Sequence, residues 1–569
     1  MMPRSLSGVV LGVFTLYAAL WAAPVQSSEA CTAGHSFNAE QLAELRFLSA
    51  RKRGRVPELS GTHVLREVNF VRQNVFPHRN HWLARQANRF NILTRERALR
   101  QAFPIDIGGE IDETTRREAE RVLRGKPYLY DALVLVRQVC PDGVDLDVVV
   151  RDVWTLTPGV GVSRSGGDNE FNVSLSDVNF LGSGKSISVE FLDDNDRTGT
   201  FVSYTDPNLF GSRWTGEAVV ADNDDGERYG VALVRPFYSL DTPYSVGFSA
   251  DHFVREEDLE FLSDDIYEID ADTDTANVFF ARSSGRREGW IDRYYFGVRY
   301  LDEEFLYPDD FPGPLETSRR FVYPYVGWQI IQDKYVELTD VNRVGITEDL
   351  KLGWSAYAEI GWSTDDFGGD GDYLLSRASL MYRKYMGQDH LLTLEGALHG
   401  RYDLDASRAE DVQLNTEVAY LWVQSDHLRF LTMARYVHTK NLPTDKQLTI
   451  GGDNGLRGYP TRYQPGDRSI LLTLEQRYYS NAYPFGLFRV GYAGFVDVGR
   501  AWFHDDAPDW MPSRNGDHFG TLSNVGVGLR LESIRTRRDR VLHVDIAKPL
   551  QDGPNTESWE ITLSGKARF

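Results

Sequence analysis

From Leu156 onward the chain alternates apolar and polar residues with a period of two. In residues 489–500, Val490, Tyr492, Val496 and Val498 fall on one face, and Phe495 and Asp497 on the other. Val525, Val527, Leu529 and Leu531 likewise oppose Asn524, Arg530 and Glu532, and Trp559, Ile561 and Leu563 oppose Glu560, Thr562 and Lys566. This period is the mark of β-strands with one apolar face. Segments of about ten such residues, parted by Gly, Asp, Asn and Pro clusters, recur through residues 157–569 without an amphipathic helix. A sheet that spans lipid must close on itself, because lipid cannot hydrogen-bond an open edge. The polar face then lines a wet or loop-filled lumen. The pattern predicts an all-β transmembrane antiparallel β-barrel of about 16 strands or more. Before residue 451 there are about fourteen candidate strands where about eleven would suffice, so residues 258–274 are expected to form a loop hairpin.

The first 156 residues read differently. Arg4 precedes an apolar run over residues 9–23, and small residues follow at Ala22, Ala23, Ser28 and Ala30. Residues 1–30 therefore read as a secretory signal peptide. Beyond them there is no apolar stretch of about 20 residues, so no helix is expected to cross a membrane. A lead-in occupies residues 31–63, helical and basic over 39–53. A strand at 64–70 and a short helix at 94–102 follow. Asp112 is placed to cap a second helix in which Ala119, Val122 and Leu123 share a face, and Gly125 ends it. Two β-branched runs, 130–139 and 144–153, are joined by Pro141-Asp142-Gly143, a turn signal. A small α+β domain over 64–156 and a barrel over 157–569 are the expected division.

One loop interrupts the alternation ahead of the last strands: Gly451-Gly452-Asp453-Asn454-Gly455-Leu456-Arg457-Gly458-Tyr459-Pro460. Its glycines and proline mark tight, non-helical backbone, yet it carries one cation between Leu456 and Tyr459. A cation on an apolar loop pairs with a carboxylate or sits in water. Alternation puts two carboxylates, Glu475 and Asp497, on the inner face of the next two strands. The Leu456-Arg457-Gly458-Tyr459 core resembles the (V/I/L)-R-G-(F/Y) signature of the sixth extracellular loop in outer-membrane assembly and translocation barrels. That superfamily holds the barrel-assembly and translocation-assembly barrels, the two-partner secretion transporters and the bacterial surface antigens. Leu474-Glu475-Gln476-Arg477, Gly494-Phe495-Val496-Asp497 and the turns at 179–184 and 206–211 are similar to its other motifs.

The resemblance implies a loop folded into the lumen, with Arg457 bridging to Asp497 or Glu475. A guanidinium fork holds carboxylates in a way Lys cannot. It implies that Gly458 lets the backbone pass close to the wall and that Tyr459 packs inside. The order of elements over 64–156 is similar to a POTRA domain, whose sheet edge would accept a client strand. A lateral seam is expected between a first strand carrying Phe171, Val173 and Leu175 and a last strand carrying Ile561, Leu563 and the terminal Phe569. The implied function is insertion or translocation of polypeptides at the bacterial outer membrane, with the N-terminal domain in the periplasm. Partners would be outer-membrane lipid, unfolded barrel or secreted polypeptides, and periplasmic chaperones or accessory proteins. A pore or lipid-export barrel, or a surface antigen with no transport client, would use the same fold.

Composition removes other classes. A formal net charge of -21 opposes nucleic-acid binding, which needs a basic face. Gly182-Ser183-Gly184-Lys185-Ser186 ends like a phosphate-binding loop, but Asn179 stands where its first Gly belongs and a strand follows. No Gly-x-Ser-x-Gly or His-Glu-x-x-His occurs, so no enzymatic activity, cofactor or metal is expected. Two cysteines, Cys31 and Cys140, permit one disulfide in an oxidising compartment, and spacing alone leaves their pairing open.

Overall fold

The structure is a computed structural model. It describes residues 31–566 except 44, 46–57, 77–87, 90, 166–167, 194–196, 345, 388, 453, 485–486, 505–506, 513–518, 534 and 537–540. The expected signal peptide, most of the lead-in helix and Phe569 lie outside the described residues.

The N-terminal domain is a five-stranded sheet: β1 (Thr32–Ala33), β2 (His63–Gln73), β3 (Glu110–Ile111), β4 (Leu129–Cys140) and β5 (Gly143–Asp152). The strand order is β1-β4-β5-β2-β3, with β2 parallel to β5 and the other pairs antiparallel. Among the described residues its helices include α1 (Ala39–Ala43), α2 (Glu96–Ala102) and α3 (Glu113–Arg124). α3 begins at a reciprocal cap: Thr115 N donates to Asp112 Oδ1, and Asp112 N donates to Thr115 Oγ1, both at 2.8 Å. Two otherwise unpaired helix-end donors are thereby satisfied. Leu65, Phe70, Leu99, Leu123, Leu146 and Val148 form the core between the helices and one sheet face. Leu42, Leu133, Leu135 and Val149 cover the other face. Cys31 and Cys140 are disulfide-bonded, fastening β1 to the end of β4.

The edge of β4 is not open, contrary to the expectation of a free edge for a client strand. Val134 N donates to Glu120 Oε1 at 2.9 Å, Val134 O accepts from Arg116, and Ala132 O accepts from Arg124. Three α3 side chains one turn apart thus occupy the backbone groups an added strand would use.

Among the described residues twenty antiparallel strands close into a barrel, fifteen before the glycine-rich loop and five after it. The expectation of about 16 strands or more is met, with four beyond the lower figure. Residues 258–274 are not a separate loop hairpin. They are the paired ends of the two longest strands, Tyr244–Phe261 and Asp264–Arg287. Those strands exceed the roughly ten residues a bilayer requires. Their far ends stand beyond the apolar band, so acids such as Asp258, Glu268 and Asp270 break the alternation there without breaking the pairing. Leu259, Ile269, Phe305, Phe311 and Trp510 pack together at that end.

The first wall strand is β6 (Leu156–Ser165), and the stretch carrying Phe171, Val173 and Leu175 is the second, β7 (Asp168–Asp177). Those three residues therefore do not border the seam. Pro158, Gly159 and Gly161 hide β6 in the sequence, because proline is tolerated in a sheet chiefly on an edge strand. β6 is such a strand: within the described residues its register with the last strand, Glu560–Lys566, is a single pair, Leu563 with Arg164. Ile561 is half exposed on that last strand.

The N-terminal domain abuts the barrel turns. Asn179 Nδ2 donates to Thr94 Oγ1 at 2.8 Å, while Thr94 N and Oγ1 donate to Asp152 Oδ2 at 2.7 and 3.0 Å. Leu240 N donates to Glu118 at 2.7 Å. Asp152 is 1% exposed, and its Oδ1 has no hydrogen-bond partner among the described residues. Burial pushes its carboxyl up to about 7, the two Thr94 hydrogen bonds opposing the rise.

Candidate functional site: a buried arginine in the lumen

The loop between strands Leu428–Lys440 and Arg468–Tyr479 folds inward. A short ladder, Leu448–Ile450 with Gln464–Gly466, closes its base. Leu456, Tyr459 and Tyr463 are fully buried and pack with Leu471, Ala501 and Leu522 of the wall. Gly458 passes so close that a Cβ would lie 2.6 Å from Asn524 Cβ and 3.1 Å from Pro549 N. No larger residue fits without moving backbone. The Tyr459 hydroxyl sits 2.8 Å from Gln551 Oε1 and 3.0 Å from Ser523 O.

This packing delivers Arg457, 7% exposed, to the wall. Its Nε donates to Asp497 Oδ2 and its Nη2 to Asp497 Oδ1, both at 2.9 Å, and its Nη1 donates to Glu475 Oε2 at 2.8 Å. The guanidinium carbon lies 3.3 Å from the centre of the Phe495 ring. One planar fork thus meets both acids and stacks on an aromatic face. Asp497 also accepts from Thr473 Oγ1 (2.9 Å) and Asn524 Nδ2 (2.8 Å).

The cluster is larger than the pair of acids expected. Arg477 Nε donates to Glu475 Oε1 at 2.8 Å. Arg530 pairs with Asp545 at 2.5 Å, and Asp545 lies 3.8 Å from Arg457. Three guanidinium groups face three carboxylates, so the buried charge balances. Asp545 was detectable in principle: Val541, His543 and Asp545 alternate with Leu542, Val544 and Ile546 along Val541–Pro549, the former buried and the latter facing outward. Without a partner in view, that period marks a face and not a contact. The arrangement can hold a loop, and its exchange of partners can release one. The lumen beside it contains cavities of about 640 and 500 Å³, lined by apolar side chains together with charged ones, Glu395, Glu417 and Arg435 among them.

The Omp85 superfamily domain model matches residues 179–565. No curated protein sequence matches the chain. Among solved structures the chain is similar to BamA from Haemophilus ducreyi lacking POTRA domains 1-3, at 15% identity over 89% of this chain and 84% of that one, with a TM-score of 0.39. It is similar to CdiB from Escherichia coli at 13% identity, 95% and 91% coverage and a TM-score of 0.44. CdiB from Acinetobacter baumannii gives 13%, 88%, 73% and 0.43.

Proposed function

The chain belongs to the Omp85 superfamily, and from that membership we propose that it inserts unfolded polypeptides into the outer membrane, or passes them across it. The barrel stands in the outer membrane, with the N-terminal domain on the periplasmic side as a POTRA-like receiving module. The observation that carries the reading is the asymmetry of the wall. Neighbouring strands elsewhere pair over seven or more residues, as between Val541–Pro549 and Glu560–Lys566, whereas β6 meets the last strand at one registered pair among the described residues. In lipid, an unpaired backbone edge is costly and seeks a strand. A client strand adding there satisfies the edge and enters the bilayer already hydrogen-bonded. The Arg457 loop braces the wall beside this seam, on strands the client would not occupy. No cofactor is needed, because strand exchange is driven by pairing and burial.

Photo-crosslinkers at Thr157 and Ile561 in living cells test the reading. Capture of unfolded barrel precursors supports insertion, and capture of a secreted passenger supports translocation. Capture of neither, with the variants folded and present in the outer membrane, overturns it.

A further inference from the structure

Between the wall strands Ser318–Gln332 and Gly353–Ser363 the chain does not turn directly. Tyr335–Thr339 pairs with Thr347–Lys351 as a separate two-stranded hairpin. Its base is gripped by α3. Arg124 donates from Nε to Asp349 Oδ2 and from Nη2 to Glu337 Oε1, each at 2.7 Å, and the Arg121 guanidinium lies 3.6 Å from the Tyr335 ring centre. Its tip enters the lumen. Val341, Leu350 and Leu352 pack on Leu391 and Leu421 of the wall, and Val344 packs on Tyr479 and Ala493. Arg343 Nε and Val344 N both donate to Glu532 at 2.6 Å. Glu348 accepts from the backbone N–H groups of Val341, Asn342 and Arg343, so the tip is stiffened from within.

The tip also touches the arginine cluster. Val341 O accepts from Arg477 Nη1 at 3.2 Å and from the Tyr479 hydroxyl at 3.3 Å. Arg477 in turn holds Glu475, the acceptor of Arg457. At the other end, Arg124 joins Ala132 O on the β4 edge to the hairpin carboxylates Glu337 and Asp349, with Glu120 of α3 3.5 Å from its Nη1. A strand pairing with β4 would take that carbonyl from Arg124 Nη1 and press on the guanidinium whose Nε and Nη2 hold the hairpin.

We propose that residues 333–352 are a built-in plug seated in the lumen mouth beside the N-terminal domain. An extended polypeptide that displaces the side chains of Arg116, Glu120 and Arg124 from the β4 edge is its release signal, acting through Arg124. The plug itself stands on the geometry alone; the release signal rests on the polypeptide-handling function.

The test is thiol accessibility in the purified full-length chain. Thr393 lines the cavity above the hairpin, and the native cysteines are disulfide-bonded and unreactive without reductant. In Thr393→Cys protein a bulky polyethylene-glycol maleimide is expected to react slowly. Replacing residues 336–350 by a short Gly-Ser link, or introducing Arg124→Glu, should each speed labelling by about tenfold or more, since a broken buried pair leaves charges unpaired. Adding the Val344→Cys and Ala493→Cys pair to Arg124→Glu, and oxidising it, should restore slow labelling. Unchanged labelling in both opened variants, with the barrel folded by heat-modifiable migration, overturns the plug. Should the deletion fail to fold, Arg124→Glu with its cross-linked partner still decides. The two readings separate cleanly: fast labelling without any client capture at the seam retains the plug and sinks the polypeptide function, and the converse sinks the plug alone.

Discussion

Replacing Arg457 by Lys should free the loop while leaving the barrel standing. The guanidinium makes three charge-assisted hydrogen bonds, two to Asp497 and one to Glu475. An ammonium keeps the charge, and with it much of the Coulomb attraction, but its single nitrogen cannot reach both acids in the same geometry. Two of three bonds are lost, at roughly 1.5–3 kcal/mol each. The stacking on Phe495 weakens as well. A loss of about 3 kcal/mol, the lower end, raises the population of the open loop by roughly a hundredfold. Arg457→Ala should cost about 3–5 kcal/mol, because Glu475, Asp497 and Asp545 then face only Arg477 and Arg530. Amide hydrogen exchange reads the effect directly. The N–H groups of Gly452, Leu456 and Tyr459 are bonded within the loop, to Pro460 O, Gly451 O and Leu456 O. Their exchange should accelerate by about two orders of magnitude in the Lys variant, while wall amides of Arg468–Tyr479 change little. Wild-type exchange at those three amides would refute the reasoning and assign the hold to Leu456, Tyr459 and Tyr463 alone.

Three further outcomes are expected. Asp152, ordinarily near 3.8 and raised here to about 7, binds its proton more tightly in the folded domain. Its contribution is therefore fully present below about pH 4 and lost as pH rises through about 7. Thermal melts of the full chain in detergent should show the N-terminal transition falling from pH 5 to pH 8 by up to a few kcal/mol, and Asp152→Asn should flatten that dependence. Val298, half exposed and outward on Trp290–Leu306, faces lipid; Val298→Arg should cost about 2–4 kcal/mol in bilayer folding equilibria, and a neutral result would argue against that face being membrane-embedded. Reducing the Cys31–Cys140 bond should destabilise the N-terminal domain by about 2–4 kcal/mol in denaturant titrations, leaving the barrel transition in place.

Much of this architecture was legible because alternation is a local signal. The inward placing of Glu475 and Asp497 follows from period two, and α3 from its Asp112 cap. The features missed depend on contacts distant in sequence or on broken patterns. β6 carries Pro158 and two glycines, so its strand character shows only when its edge position is known. The acid-rich ends of Tyr244–Phe261 and Asp264–Arg287 look like loops because pairing outside lipid needs no apolar face. The hairpin at 335–351 has a strand-like pattern, yet nothing local says that it turns inward and not along the wall. Asp545 and Arg530 lie on the inner face by period, but their meeting with Arg457 is a property of barrel closure.

The most direct measurement is to close the seam covalently. Cysteines at 164 and 563, the one registered pair between β6 and the last strand among the described residues, would be oxidised in the full chain reconstituted in lipid vesicles with an unfolded outer-membrane barrel as client. The account predicts that client insertion, read as protease-protected folded barrel, stops on oxidation and returns on reduction, with each single-cysteine variant and the reductant-treated parent remaining active. Insertion at the parental rate through the oxidised seam would contradict it.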